Sequence, residues 1–299
     1  MSFKNAFKNL IAHFGTVWAV LLYLLVCSAI IVGLSLPFIL PIANAFSKAG
    51  VFDGIGGAFT TLMGDGGWNE FWDGLFDVYQ NIVSVFTDGR MASLAKMFVI
   101  FVMLVAFRFF FGLYEIPLAT VLDGAMSCNA NYGFSGKFIS TLSVSVRFSL
   151  AKMPIMIAID AVTFGIIYGL TSLIGMRVIL PFVVILVIVV MRAFRSGLTA
   201  CWAPCVVGGM GVIKGFARSC EIFFKRFGSI FSTYIVMWLL IVAFGLFITI
   251  FTLGVGLIVA FPFGMCILAY IGITVYYNKT GKRYYIDGTV FTPPTENVV

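Results

Sequence analysis

Histidine is nearly absent from this chain, and charge of either sign is scarce. One histidine, His13, stands among 299 residues, and only 10% of the side chains are Asp, Glu, Lys or Arg. A lone histidine excludes a Ser-His-Asp triad and a histidine-rich metal site. The sequence has no P-loop, no HExxH pair and no dinucleotide-type glycine pattern between a strand and a helix. The stretch Gly64–Glu70 lacks the alternating carboxylates of a calcium loop. Long polar stretches are missing as well, so the whole chain, residues 1–299, is expected to form a single transmembrane domain. No catalytic, cofactor-binding or metal-binding residues are expected, and the chain reads as a non-enzyme.

What is abundant settles the class. Hydrophobic residues make up 61% of the chain and fall in several uninterrupted apolar runs. Runs of about 20 apolar residues match the thickness of a bilayer and are too long for strands. An outer-membrane barrel would instead show short alternating segments. The expected fold is therefore all-α and polytopic, with about six transmembrane helices.

The net charge of +7 comes from residues beside these runs. There it serves orientation and attraction to anionic headgroups, so the bilayer and not a nucleic acid is the expected partner. The six cysteines are Cys27, Cys128, Cys201, Cys205, Cys220 and Cys266. They lack the spacing of a disulfide framework. Cys201 and Cys205 lie four apart, one residue too many for a CxxC motif, and read as small packing residues.

Along the chain, spans are expected at Thr16–Ala45, Leu94–Leu122, Ala151–Ile174, Val178–Val207, Phe227–Thr252 and Val255–Tyr277. The first run is too long for a cleavable signal, although Ala43-Asn-Ala45 fits a cleavage pattern. Three amphipathic stretches precede spans. Phe3, Phe7, Leu10 and Phe14 form the first stripe, broken at His13-Phe14-Gly15. Leu142, Val146, Leu150 and Met153 form the second, broken at Lys152-Met153-Pro154. Phe216, Cys220, Phe223 and Phe227 form the third, broken at Arg226-Phe227-Gly228. Amphipathic helix, span out and span back thus recur as three parallel hairpin repeats. Residues 48–90 form an acidic, glycine- and aromatic-rich insertion whose second half, Trp68–Phe86, has the spacing of an interfacial helix. Residues 279–299 read as a polar tail.

If the N-terminus is cytoplasmic, the outer side holds only Lys48, Arg90, Lys96 and Arg177, and the other lysines and arginines outside the spans lie inside. The positive-inside rule then places both termini in the cytoplasm.

Five ionisable residues fall within the expected spans: Arg108, Glu115, Asp160, Arg192 and Arg195. Charge there costs roughly 3 kcal/mol at mid-bilayer, so each needs a partner or water. Depth places Arg108 and Arg192 near the level of Asp160. Glu115, seven residues beyond Arg108, is two turns away on the same face and out of its direct reach. Three readings stand open: arginines snorkelling to headgroups, an Asp160–Arg ion pair, or a cavity for an anion or a proton-coupled solute.

The segment Phe216–Phe247 reads FARSCEIFFKRFGSIFSTYIVMWLLIVAFGLF. It resembles the Ser-Trp-x-x-Phe-Lys-x-x-Phe start of units in bacterial multispan proteins of the YciC-like group. It is also similar to the membrane domain attached to some glycerophosphodiester phosphodiesterases. The tryptophan of that pattern and any phosphodiesterase domain are absent. The resemblance implies a bacterial inner-membrane protein and carries over no functional residue. The expected function is an accessory or scaffold subunit of a membrane assembly, with a membrane-protein partner or a second copy. The alternative is a transporter or a lipid- or small-anion-binding protein that uses the inner-half Arg and Asp residues.

Overall fold

The computed structural model describes residues 2–64, 67–87, 101, 105–130, 132–173, 180–252, 254–286 and 289–293. Arg90, Lys96, Arg177 and most of the expected Leu94–Leu122 span before Arg108 lie outside these residues. So does the turn Gly175–Arg177. Among the described residues, six helices are long and apolar enough to cross a membrane: Gly15–Gly33, Phe107–Cys128, Phe134–Thr171, Phe182–Val207, Phe227–Thr252 and Leu257–Thr280. The chain is a multi-pass helical membrane protein.

In chain order the helices are α1 (Ser2–Ala12), α2 (Gly15–Lys48), α3 (Val51–Met63), α4 (Trp68–Thr87), α5 (Phe107–Gly112) and α6 (Glu115–Cys128). They continue as α7 (Phe134–Leu173), α8 (Leu180–Thr199), α9 (Trp202–Val207), α10 (Val212–Lys225), α11 (Phe227–Thr252) and α12 (Leu257–Thr280). A two-stranded antiparallel hairpin, β1 (Tyr284–Ile286) and β2 (Thr289–Phe291), follows. The chain forms two compact units.

The first unit comprises residues 1–27, 109–166 and 186–299. Its centre is made by α6 and the second half of α12, where buried side chains run almost without a gap from Tyr270 to Lys279. Around them Leu10, Leu118, Leu122, Phe223, Tyr234 and Tyr284 join one core cluster. A smaller cluster stacks Trp202 between Phe148 and Phe216, at ring distances of 5.0 and 4.6 Å. The indole is fully buried and donates to the Val212 carbonyl at 2.8 Å. By contrast α11 turns much of its apolar surface outward, as a lipid-facing helix must.

Short helices enter spans at two places: α1 meets α2 across His13–Phe14, and α10 meets α11 across Arg226. The expected break at Lys152-Met153-Pro154 is absent. Instead α7 runs unbroken for 40 residues with Pro154 inside it. At 1.5 Å per residue that is about 60 Å, twice a hydrocarbon core, so a large part of the helix extends beyond the bilayer. Proline inside the helix removes one backbone donor, a loss that transmembrane helices tolerate.

The stripe on α7 also faces the other way. Leu142 and Leu150 are exposed, whereas Ser145, Phe148 and Ser149 are buried. On α1 the buried face includes Asn5 and Asn9 beside Ala6 and Leu10, while Phe7 on α1 and Phe14 beyond its end are exposed. Small polar residues here pack helix on helix, and their hydrogen-bonding groups find partners inside the protein. Ser149 Oγ donates to the Phe109 carbonyl at 2.9 Å, and Asn5 Nδ2 donates to the Tyr284 hydroxyl at 2.9 Å.

The second unit comprises residues 28–108 and 167–185. The spacing in residues 48–90 predicts one helix, but the glycine-rich first half is helical too, as α3. Its glycines serve close packing. A Cβ at Gly54 would lie 2.7 Å from Val78 on α4, and Gly74 on α4 sits against Ala58. Phe59, Phe71, Trp68 and Trp72 form a ring cluster at the end of this helix pair where the chain joins the two helices, with Phe182 beside Trp72.

The expected polar tail is a packed element. Tyr284 is 1% exposed and sits 5.6 Å from the Tyr277 ring and 5.1 Å from Phe291. Aromatic residues at Tyr284 and Phe291, paired across the strands, give the hairpin an apolar face to bury. Lys279, which reads as the start of the tail, lies in the last turn of α12 and is buried.

Candidate functional site: ion pairs between the spans

Four of the five candidate polar residues, Glu115, Asp160, Arg192 and Arg195, are placed by three helices of the first unit. The expected continuous span through Arg108 and Glu115 is interrupted, because the chain turns at Leu113–Tyr114 and α6 starts at Glu115. Gly112, just before the turn, admits α7: a Cβ there would meet Ser149 Oγ at 2.4 Å. This close approach brings Lys152, one turn beyond Ser149, onto Glu115, and the two form an ion pair. Their side chains are 15% and 23% exposed. The Lys152 ammonium also lies 5.6 Å from the centre of the Phe148 ring. In the sequence Lys152 reads as part of a helix break, and nothing near it in the chain marks it as the partner of Glu115.

Two turns further along α7, Asp160 faces α8. Arg195 Nη1 donates to both carboxylate oxygens, at 3.1 and 3.2 Å. Depth along the spans points to Arg108 and Arg192 as partners of Asp160, whereas the structure supplies Arg195. Arg192 lies three residues earlier on α8, half-buried. Arg108 belongs to the second unit, half-buried, where the chain passes from one unit to the other. Of the five candidates, the structure thus draws Asp160 and Arg195 into one contact and gives Glu115 a partner from outside the set.

Further polar contacts tie the same unit together. The Trp238 indole donates to Ser196 Oγ at 2.9 Å, joining α11 to α8. Tyr277 OH donates to Asp123 at 2.7 Å, joining α12 to α6. Cys201 and Cys205 are buried free thiols, and the Cys201 backbone N–H donates to Ser219 Oγ at 3.2 Å. On α10, outside the spans, Arg218 and Lys225 flank Glu221 at 2.6 and 3.0 Å. Their hydrogen bonds, Arg218's first, hold the Glu221 carboxyl below its ordinary range. Among the described residues no group of His, Cys, Asp and Glu could hold a metal ion.

Chemically, the arrangement is a set of clasps. Glu115–Lys152 joins α6 to α7, and Asp160–Arg195 joins α7 to α8. An acid already bound to a cation is poorly placed to relay a proton or receive a substrate amine. Comparison with protein-family models, with curated proteins and with solved structures finds no match for this chain.

Proposed function

We propose that this chain is a non-catalytic integral protein of a bacterial inner membrane, serving as an accessory or scaffold subunit of a membrane assembly. The observation that carries this reading is the clasping of α7 on both sides. Glu115 and Asp160 each meet a cation of a neighbouring helix, which favours a fixed bundle over one that alternates between two packings. The resemblance of Phe216–Phe247 to YciC-like multispan proteins points the same way. Both termini lie in the cytoplasm on this reading, from the one-sided distribution of lysine and arginine. We also infer an ancestral hairpin repeat. Its support is that α1–α2 and α10–α11 share one design, a short helix broken just before a span, while α7 has fused the two parts.

Native mass spectrometry of the protein, extracted gently from its own membrane, tests the reading. A stoichiometric protein partner is the expected result. A bare chain that moves a solute when reconstituted into vesicles would overturn it.

A second reading, a small-anion- or lipid-binding protein, is favoured by one observation. Arg192 is half-buried in a span and makes no ion pair with a described residue. A bound anion lost on Arg192→Ala would select this reading.

A further inference from the structure

A cleft of about 410 Å³ opens between α1 and the C-terminal hairpin. Lys4 and Lys8 stand on one side, and Ile286, Val290 and Phe291 on the other. Buried hydrogen bonds fix its shape. Asn5, at its base, donates to Tyr284 OH, which donates in turn to Asn278 Oδ1 at 3.0 Å. One turn on, Asn9 Nδ2 donates to the Tyr285 carbonyl at 3.3 Å. These bonds hold the hairpin against the helix and fix the two walls of the cleft relative to each other.

Among the described residues, the charged groups on its wall are lysines alone. Lys4 and Lys8 are four residues apart, so both ammonium groups project from one face of α1. No described residue lining the cleft is acidic. The cleft also lies close in the chain to the ends of two spans. Two residues separate α1 from the span that begins at Gly15, and Tyr284 follows four residues after the span that ends at Thr280. Phe7 and Ile11, exposed on α1, continue its apolar surface outward.

We propose that this cleft seats the headgroup of an anionic phospholipid. The phosphate lies between Lys4 and Lys8, and the glycerol and first methylenes lie along Ile286, Val290 and Phe291. The apolar wall selects a lipid over free phosphate, which would bury that surface against nothing. Two lysines acting together favour anionic over zwitterionic lipid by about tenfold or more.

The test uses the full chain, delipidated in detergent, with native mass spectrometry as the readout. Dioleoylphosphatidylglycerol and dioleoylphosphatidylcholine are titrated separately. The expected result is about tenfold tighter retention of the glycerol lipid, abolished in Lys4→Gln/Lys8→Gln and kept in Lys4→Arg/Lys8→Arg and Lys214→Gln. Both lysines are exposed, so these variants should fold as the parent does, and Val290→Asp provides a second, independent block. Equal retention of the two lipids, or unchanged glycerol-lipid retention in Lys4→Gln/Lys8→Gln, would overturn the proposal. Displacement by millimolar inorganic phosphate would also overturn it, in favour of a free-anion site. Failure to find a protein partner bears on the subunit reading alone.

Discussion

Removing the charge from Asp160 tests whether the clasp between α7 and α8 stabilises the fold. The amide introduced by Asp160→Asn keeps one oxygen within reach of Arg195, so the hydrogen bond survives in part and the attraction between charges does not. A charge left without its counterion costs about 3 kcal/mol at mid-bilayer. Here each side chain is about three-quarters buried within the protein, and rearrangement of the freed group toward other polar partners recovers part of that cost. A loss of about 1–2 kcal/mol is expected from Asp160→Asn. At about 2–3 °C per kcal/mol for a chain of this size, the unfolding midpoint falls by about 3–5 °C. The buried free cysteines Cys27, Cys201, Cys205 and Cys266 supply the assay. A maleimide dye reacts with them only as the protein opens, and Cys128→Ser removes the background from the exposed thiol. Arg195→Met should destabilise to a similar extent, by stranding the acid. The double variant should lose clearly less than the sum, since neither charge is then stranded. Additive losses, or an unchanged midpoint for both single variants, would refute the clasp.

The same dye assay reads three further perturbations. Glu115→Gln should lower the midpoint through the stranded Lys152 ammonium, and Glu115→Gln/Lys152→Gln should recover part of the loss; no recovery would dissociate the pair from stability. Trp202→Ala empties a fully buried site between two rings and is expected to cost about 3–5 kcal/mol, enough to impair accumulation of folded protein; near-wild-type yield and midpoint would contradict that packing. Gly272→Ala places a methyl group 2.6 Å from the Ala200 backbone carbonyl, so it should cost about 1–3 kcal/mol, whereas Gly165→Ala meets nothing within 4 Å and should be neutral or stabilising. Finally, burial raises the Tyr284 hydroxyl above its ordinary pKa, so the hairpin's stability is complete below about pH 10 and declines as pH rises through the folded value. Protection factors at residues 284–286, which divide out the base-catalysed rise in exchange itself, should therefore fall in alkali for the parent and much less for Tyr284→Phe; identical pH profiles of protection would refute it.

The membrane class was legible because it depends on composition and run length alone. An apolar run of bilayer length has few stable alternatives, whatever its neighbours are. The scarcity of histidine and charge is equally a property of the one-dimensional chain. Placement of the charges was less legible. Depth counting treats Arg108 to Glu115 as one helix, but a turn at Leu113–Tyr114 divides it into two. It also cannot separate Arg192 from Arg195, which differ by less than one turn, about 4.5 Å of rise. Lys152 escapes because its partner lies 37 residues away, on another helix.

Orientation of a helix about its own axis was the other hidden quantity. In water an apolar stripe points to the core; beside lipid it can point out, while serines and asparagines pack inside. Leu142 and Leu150 follow the second rule, and so do Phe7 and Phe14. Similarly, the hairpin at Tyr284–Phe291 reads as a polar tail because its short strands carry little pattern of their own. By itself the sequence determined the solvent this chain lives in and its make-up of long apolar helices, because hydropathy is summed along the chain. Only the tertiary structure decided which charges meet and which faces are buried, because those depend on where helices bend, turn and approach one another.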